Sequence, residues 1–186
     1  MLGVNMKNVE SAGAYPRPKP GGYVIKITSA INNKQNERID MEFDFSEGEF
    51  KGYYADMKER LGWHNGKFSK SYKTKALPFL KGFIEAIQTS NDSTDGLVVG
   101  DFDDIDETKL PGLIVGMVMG EKEYLGNDGK KKVRLDTYNA QFIPVEGIRS
   151  GSYTVPEFQP LEEVPPATGV VDMSEFGPVN DDDVPF

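Results

Sequence analysis

Eight consecutive residues, Arg38-Ile39-Asp40-Met41-Glu42-Phe43-Asp44-Phe45, alternate strictly between charged and apolar. A period of two puts Ile39, Met41, Phe43 and Phe45 on one face of an extended chain, whereas a helix would scatter them, so the stretch specifies a strand with one face against a core. Just upstream, Tyr23 to Thr28 reads as a second strand, and Asn32-Asn33-Lys34-Gln35-Asn36 joins the two as an antiparallel pair. Two strands are not stable alone; more strands or a helix must cover their apolar face.

The rest of the chain supplies them. From Gly52 to Gly62 the pattern turns helical, and a second helix is expected from Leu77 to Gln88, with Pro78 in its first turn and Phe79, Phe83, Ala86 and Ile87 on one stripe. Then come a strand over Gly112 to Met119, polar-apolar alternations at Glu121 to Leu125 and Lys131 to Tyr138 around Gly126-Asn127-Asp128-Gly129, and a last strand over Asn139 to Pro144. About five strands with short turns and one or two inserted helices predict a mainly β fold. A five-stranded oligonucleotide-binding (OB) barrel is one way to close such a meander, and other small α+β folds fit the pattern too.

Charge divides the chain. Its 186 residues carry a formal charge of -9, but residues 1–150 hold all 21 Lys and Arg against 22 Asp and Glu, and residues 151–186 hold 8 acids and no base. That last segment has 6 of the 12 prolines and no apolar period, so it buries too little to offset its ordering entropy. The expectation is a flexible lead over 1–20, with Pro16, Pro18 and Pro20 alternating with Arg17 and Lys19, a folded body over 21–150, and a disordered acidic tail over 151–186. The opening MLGVNMKNVESAG is not a basic stretch leading into an apolar run, and no apolar stretch approaches a membrane span, so a cytoplasmic protein without membrane contact is expected.

Catalytic constellations are poorly represented. Cysteine is absent and His64 is the single histidine, which removes thiol chemistry and ordinary zinc sites. Asp101, Asp103, Asp104, Asp106 and Glu107 are acidic enough for a cation, yet a calcium loop starting at Asp101 would need glycine where Asp106 stands and glutamate where Gly112 stands. No phosphate-binding glycine loop occurs. The reading is a protein that is not an enzyme and needs no cofactor or metal.

Residues 51–81 carry the strongest binding signal. Lys51, Lys58, Arg60, Lys67, Lys70, Lys73, Lys75 and Lys81 face only Asp56 and Glu59, with aromatic residues interleaved. Unpaired nucleic acid selects this combination, since lysines neutralise phosphates while flat rings stack on exposed bases. Tyr54, Phe79 and Phe83 fall on helical stripes and read as core; Trp63, Phe68 and Tyr72, set among glycine, serine and lysine, read as contacts. Lys130, Lys131, Lys132 and Arg134 add a basic hairpin flanked by Tyr124 and Tyr138. The bland alternative for the lysines is a solvated surface.

The final six residues are more specific. Asp181-Asp182-Asp183-Val184-Pro185-Phe186 sets an acidic run before an apolar hook bearing a ring and a carboxylate, a ligand for a protein with an apolar pocket and a basic lip. This ending resembles the C-terminal tip of bacterial single-stranded DNA-binding proteins, with Val184 in place of the commoner isoleucine. The body is similar to single-stranded DNA-binding proteins encoded by phages and prophages of Gram-positive bacteria, in Glu47 to Tyr54, in Ser71 to Ile84 and in Gly116 to Tyr124 leading to the 126–129 turn. The resemblance implies an OB barrel with a helical insertion, a homodimer, a role in coating single strands during phage DNA replication, recombination and repair, and a tip, Asp181 to Phe186, that docks on enzymes of those processes. Rival readings are an adaptor whose body binds protein rather than DNA, a binder of RNA, and a magnesium nuclease built on the Asp101 to Glu107 acids.

Overall fold

The alternating stretch forms the expected strand and pairs with its upstream neighbour. In the computed structural model, β1 (Gly21–Asn33) and β2 (Arg38–Phe45) are antiparallel from Asn33 opposite Arg38 to Ile25 opposite Phe45, with a bulge between Ile27 and Ser29. A single 3-10 turn over Lys34–Asn36 connects them, and the Asn33 side chain accepts a hydrogen bond from the Asn36 N–H. The structure describes residues 16–62 and 66–161; most of the expected lead, Trp63, His64, and the tail from 162 onward with its tip lie outside the described residues.

Three further strands complete a five-stranded antiparallel sheet in the order β3-β2-β1-β6-β9, with β3 at Lys67–Ser71, β6 at Ile114–Met119 and β9 at Gln141–Ile143. Four of these were legible as strands. The fifth, Lys-Phe-Ser-Lys-Ser, carries one apolar residue and so no periodic signal; it forms because β2 offers it a ladder of partners. The segments at Glu121–Leu125 (β7) and Lys131–Leu135 (β8) stand apart as a two-stranded ribbon, and Val98–Val99 (β4) pairs briefly with Asp104–Ile105 (β5).

The sheet curls into a half-barrel whose two edge strands touch through side chains. Laid flat, five strands would put β3 and β9 roughly 19 Å apart. Instead the rings of Phe68 on β3 and Phe142 on β9 lie 4.9 Å apart, and the Thr137 hydroxyl donates to the Lys67 carbonyl at 2.7 Å. The β1 bulge, which sharpens local twist, contributes to this closure. Inside lie Ile25, Ile27, Met41, Phe43, Phe45, Val115, Met117 and Met119. One end is plugged by α2 (Leu77–Ser90), whose Leu80, Phe83, Ile84, Ala86 and Ile87 are buried. Phe79, expected on that stripe, is 74% exposed. Helical spacing does put it about 40° from Phe83 on that stripe, but it stands in the first turn of the helix, where its ring is left in solvent.

Helix α1 (Tyr53–Leu61) begins at Gly52, which has no side chain to cap it. The cap comes from β2: the buried Asp44 carboxylate accepts from the N–H groups of Tyr54 and Ala55, both at 3.0 Å, as well as from Phe45 at 2.8 Å. After α1 the chain returns through Gly66, whose carbonyl accepts from the Phe43 N–H at 2.8 Å. A Cβ on Gly66 would lie 2.3 Å from the Phe43 carbonyl oxygen, so the backbone passes there only without a side chain.

Residues 151–161 of the expected tail are described. After α3 (Val145–Arg149) the segment to Leu161 stays on the body: Tyr153 packs against Gly22, and Gln159 exchanges backbone hydrogen bonds of 2.9 Å with Glu121 and Glu123 along the outer edge of β7. Polar backbone pairing, which leaves no apolar period in the sequence, holds it there. Among the described residues no helix is long and apolar enough to cross a membrane.

Candidate nucleic-acid interface

The β7–β8 ribbon leaves the sheet after β6 and returns at β9, and its pairing register sorts its side chains. Lys122 is opposite Arg134 and Tyr124 opposite Lys132, so these four share one face; Glu121, Glu123, Leu125, Lys131, Val133 and Leu135 share the other. At the tip the Gly126 N–H donates to the Lys130 carbonyl and Gly129 takes φ 72°, the turn that the Gly-Asn-Asp-Gly sequence demands. Along the basic face the Arg134 guanidinium lies 5.0 Å from the Tyr124 ring centre, and the Lys122 ammonium 5.9 Å from that of Tyr138. Tyr138 is 53% exposed.

One buried carboxylate ties the root of the ribbon together. Asp136, only 4% exposed, takes a 2.7 Å ion pair from Lys122 and a 2.6 Å hydrogen bond from the Asn139 amide, and also accepts from the N–H groups of Tyr138 and Asn139. Burial alone would raise its pKa, but Lys122 and Asn139 outweigh burial and hold it below the ordinary aspartate value. Next to this root, the Thr137–Lys67 hydrogen bond joins the ribbon to the start of β3. The result is one run of cations and rings: Lys132, Tyr124, Arg134, Lys122, Tyr138 and Lys67. Lys122 is committed to the buried Asp136 and so holds the run in place, while Lys132 is partly matched by Asp128 at 3.2 Å and Lys67 by Glu42 at 3.0 Å. The last two pairs are solvent-exposed and therefore weak enough to exchange for phosphate.

Other sequence candidates go elsewhere. Phe68 is 2% exposed and fills the seam between β3 and β9, so it is a core residue and not a contact: the pairing of Met41 with Phe68 turns it inward. Lys70, two residues on, faces the same way; its ammonium caps the Phe142 ring at 4.2 Å and lies 5.7 Å from that of Phe83, and burial pushes its pKa down to about 8. It closes the seam and is not a surface cation. Tyr72 is half-buried and donates its hydroxyl to Asn32 Oδ1 at 3.0 Å. Lys131 turns to the acidic face of the ribbon, 3.8 Å from Glu123. Lys130 is exposed at the tip.

Lysines that are close in sequence are not gathered into one patch. Lys67 starts β3 while Lys73 and Lys75 follow its end, roughly 15–25 Å further along an extended chain. Lys58 and Arg60 occupy the last turn of α1, where cations complement the helix dipole, and Lys51 lies exposed in the turn before that helix. Trp63 and the tip from Asp181 to Phe186 fall outside the described residues. Sequence reasoning missed Lys122. Folding the ribbon about its Asn-Asp turn would have found it, because that register places Lys122 across from Arg134.

Compared with protein families the chain matches none, and no curated protein matches it.

Proposed function

We propose that this chain is a non-enzymatic single-stranded DNA-binding protein built on an OB barrel, which covers strands exposed in phage replication, recombination or repair and recruits enzymes of those processes through Asp181 to Phe186. The observation that carries the reading is the run from Lys132 through Tyr124, Arg134, Lys122 and Tyr138 to Lys67, which sets two tyrosine rings among four cations. Cations take the phosphates and rings take unstacked bases, so duplex DNA, whose bases are already stacked, is the poorer ligand.

Topology supports the same reading. A β1-β2-β3 meander, a helix after the third strand, a fourth strand back beside β1, and a fifth whose Phe142 ring touches Phe68 of β3 give a curled half-barrel with the strand order an OB barrel would need. In OB barrels the loop between the fourth and fifth strands grips the oligonucleotide, and here that loop is the basic ribbon.

Fluorescence anisotropy with a labelled thirty-base oligothymidine tests the proposal. Binding that weakens steeply with salt supports it; no binding up to about 10 μM protein at roughly 50 mM salt overturns it. A parallel RNA titration separates DNA from RNA preference, because stacking is indifferent to the sugar and a 2′-hydroxyl contact is not.

A further inference from the structure

Two surfaces at opposite ends of the longest strand have complementary chemistry. Beside Asn32, near the end of β1, is a cavity of about 580 Å³ with apolar lining from Ile39, Leu77, Leu80, Phe102 and Ile105, and Tyr72 as a wall. Its rim is acidic: Glu37, Asp103, Asp104 and Glu107, against Lys34 as the single cation lining it. None of the four acids makes an ion pair among the described residues. The walls are fixed. Tyr72 is tied to Asn32, and Phe102, at an unusual φ of 61°, lies under the Lys81 ammonium, 5.0 Å from its ring centre.

At the other end is Pro16-Arg17-Pro18-Lys19-Pro20. Prolines at alternate positions hold such a segment extended, and Arg17 and Lys19 are exposed without an ion pair among the described residues. The Lys19 backbone donates to and accepts from the Tyr23 hydroxyl, at 3.1 and 2.6 Å, which ties the segment to the start of β1. The 13 residues of β1 span up to about 40 Å, whereas five extended residues span about 15 Å. In its own chain the segment lines a different pocket, with Gly22, Glu47, Glu49, Phe50 and Ile148, and not the cavity beside Asn32.

We propose that the Pro16–Pro20 segment of one copy docks in the acidic-rimmed cavity of a second copy. Extended proline-rich segments seat in grooves lined with aromatic residues at low ordering cost, and here the rim acids select the two bases. Because the two surfaces differ, copies join head to tail wherever two copies do not exchange their segments reciprocally about a two-fold axis.

The test uses the full chain without DNA, so it stands or falls separately from the DNA-binding proposal. In sedimentation velocity the mean mass should climb with protein concentration and fall back as salt rises. Arg17→Asp with Lys19→Asp should abolish the climb, as should Asp103→Lys with Asp104→Lys, while mixing the two charge-reversed proteins should restore it. The absence of native cysteine allows a second measurement: with Arg17→Cys and Asp103→Cys chains mixed under mild oxidation, the mixed cross-link should form ahead of either self cross-link. A single mass at all concentrations, a fixed dimer untouched by both reversals, or a mixture that does not regain assembly would overturn the proposal.

Discussion

Asp44→Ala tests how the start of α1 is held to the sheet. The carboxylate lies 7% exposed and serves two N–H groups in the first turn of a helix whose own N-cap is glycine. Hydrogen bonds to a charged acceptor contribute about 1.5–3 kcal/mol each, and a negative charge at a helix start adds about 0.3–1 kcal/mol. Desolvation of the carboxylate offsets part of this, so the expected loss on Asp44→Ala is about 3–4 kcal/mol. For a body of this size that is a fall in Tm of roughly 10–15 °C. Asp44→Asn keeps one carbonyl acceptor but aims an amide NH2 at a helix N–H, so it should lose about half as much. Thermal and urea unfolding followed by circular dichroism on both variants gives the numbers, and amide exchange at Tyr54 and Ala55 localises the change. Asp44→Ala within about 1 kcal/mol of the parent, with those amides still protected, would refute the capping argument.

The ribbon register makes a sharper binding prediction: Lys132→Ala and Arg134→Ala should each lower the salt dependence of single-strand affinity by about 0.7 in log-log slope, and Lys131→Ala, on the opposite face, should leave it unchanged in the same titrations. Tyr138→Ala should cost about 1–3 kcal/mol of DNA affinity with little change in Tm. Phe68→Ala should do the reverse, losing about 3–5 kcal/mol of stability in urea unfolding, because it empties the seam. Gly66→Ala should destabilise the body through its clash with the Phe43 carbonyl, read as a lower urea midpoint. Lys70 is depressed to about 8 in the folded protein and returns to about 10.5 on unfolding, so the unfolded chain holds the extra proton between those values and stability should rise with pH across that window. Lys70→Met should remove the rise, and an unchanged pH profile in that variant would place the ammonium in water.

The β1–β2 hairpin, the helices near 53–61 and 77–90, and the tight turn at 126–129 were legible because each depends on local periodicity or on a residue type that a turn requires. Residue counts alone place nearly all of the net charge in the last 36 residues, and Gln159 of that segment pairs with β7. Adjacency across space was not legible. Lys67 and Lys70 look alike in sequence, yet pairing with β2 leaves one in solvent and folds the other over two rings, and Phe68 joined the core because β9 came round to meet it. Lys122, isolated among acids in the chain, became part of the basic face through a partner twelve residues away. Composition and period act over a few residues, so they determine which segments become strands and helices; which side chains meet depends on the register and curl of the whole sheet, and only the assembled structure settles those.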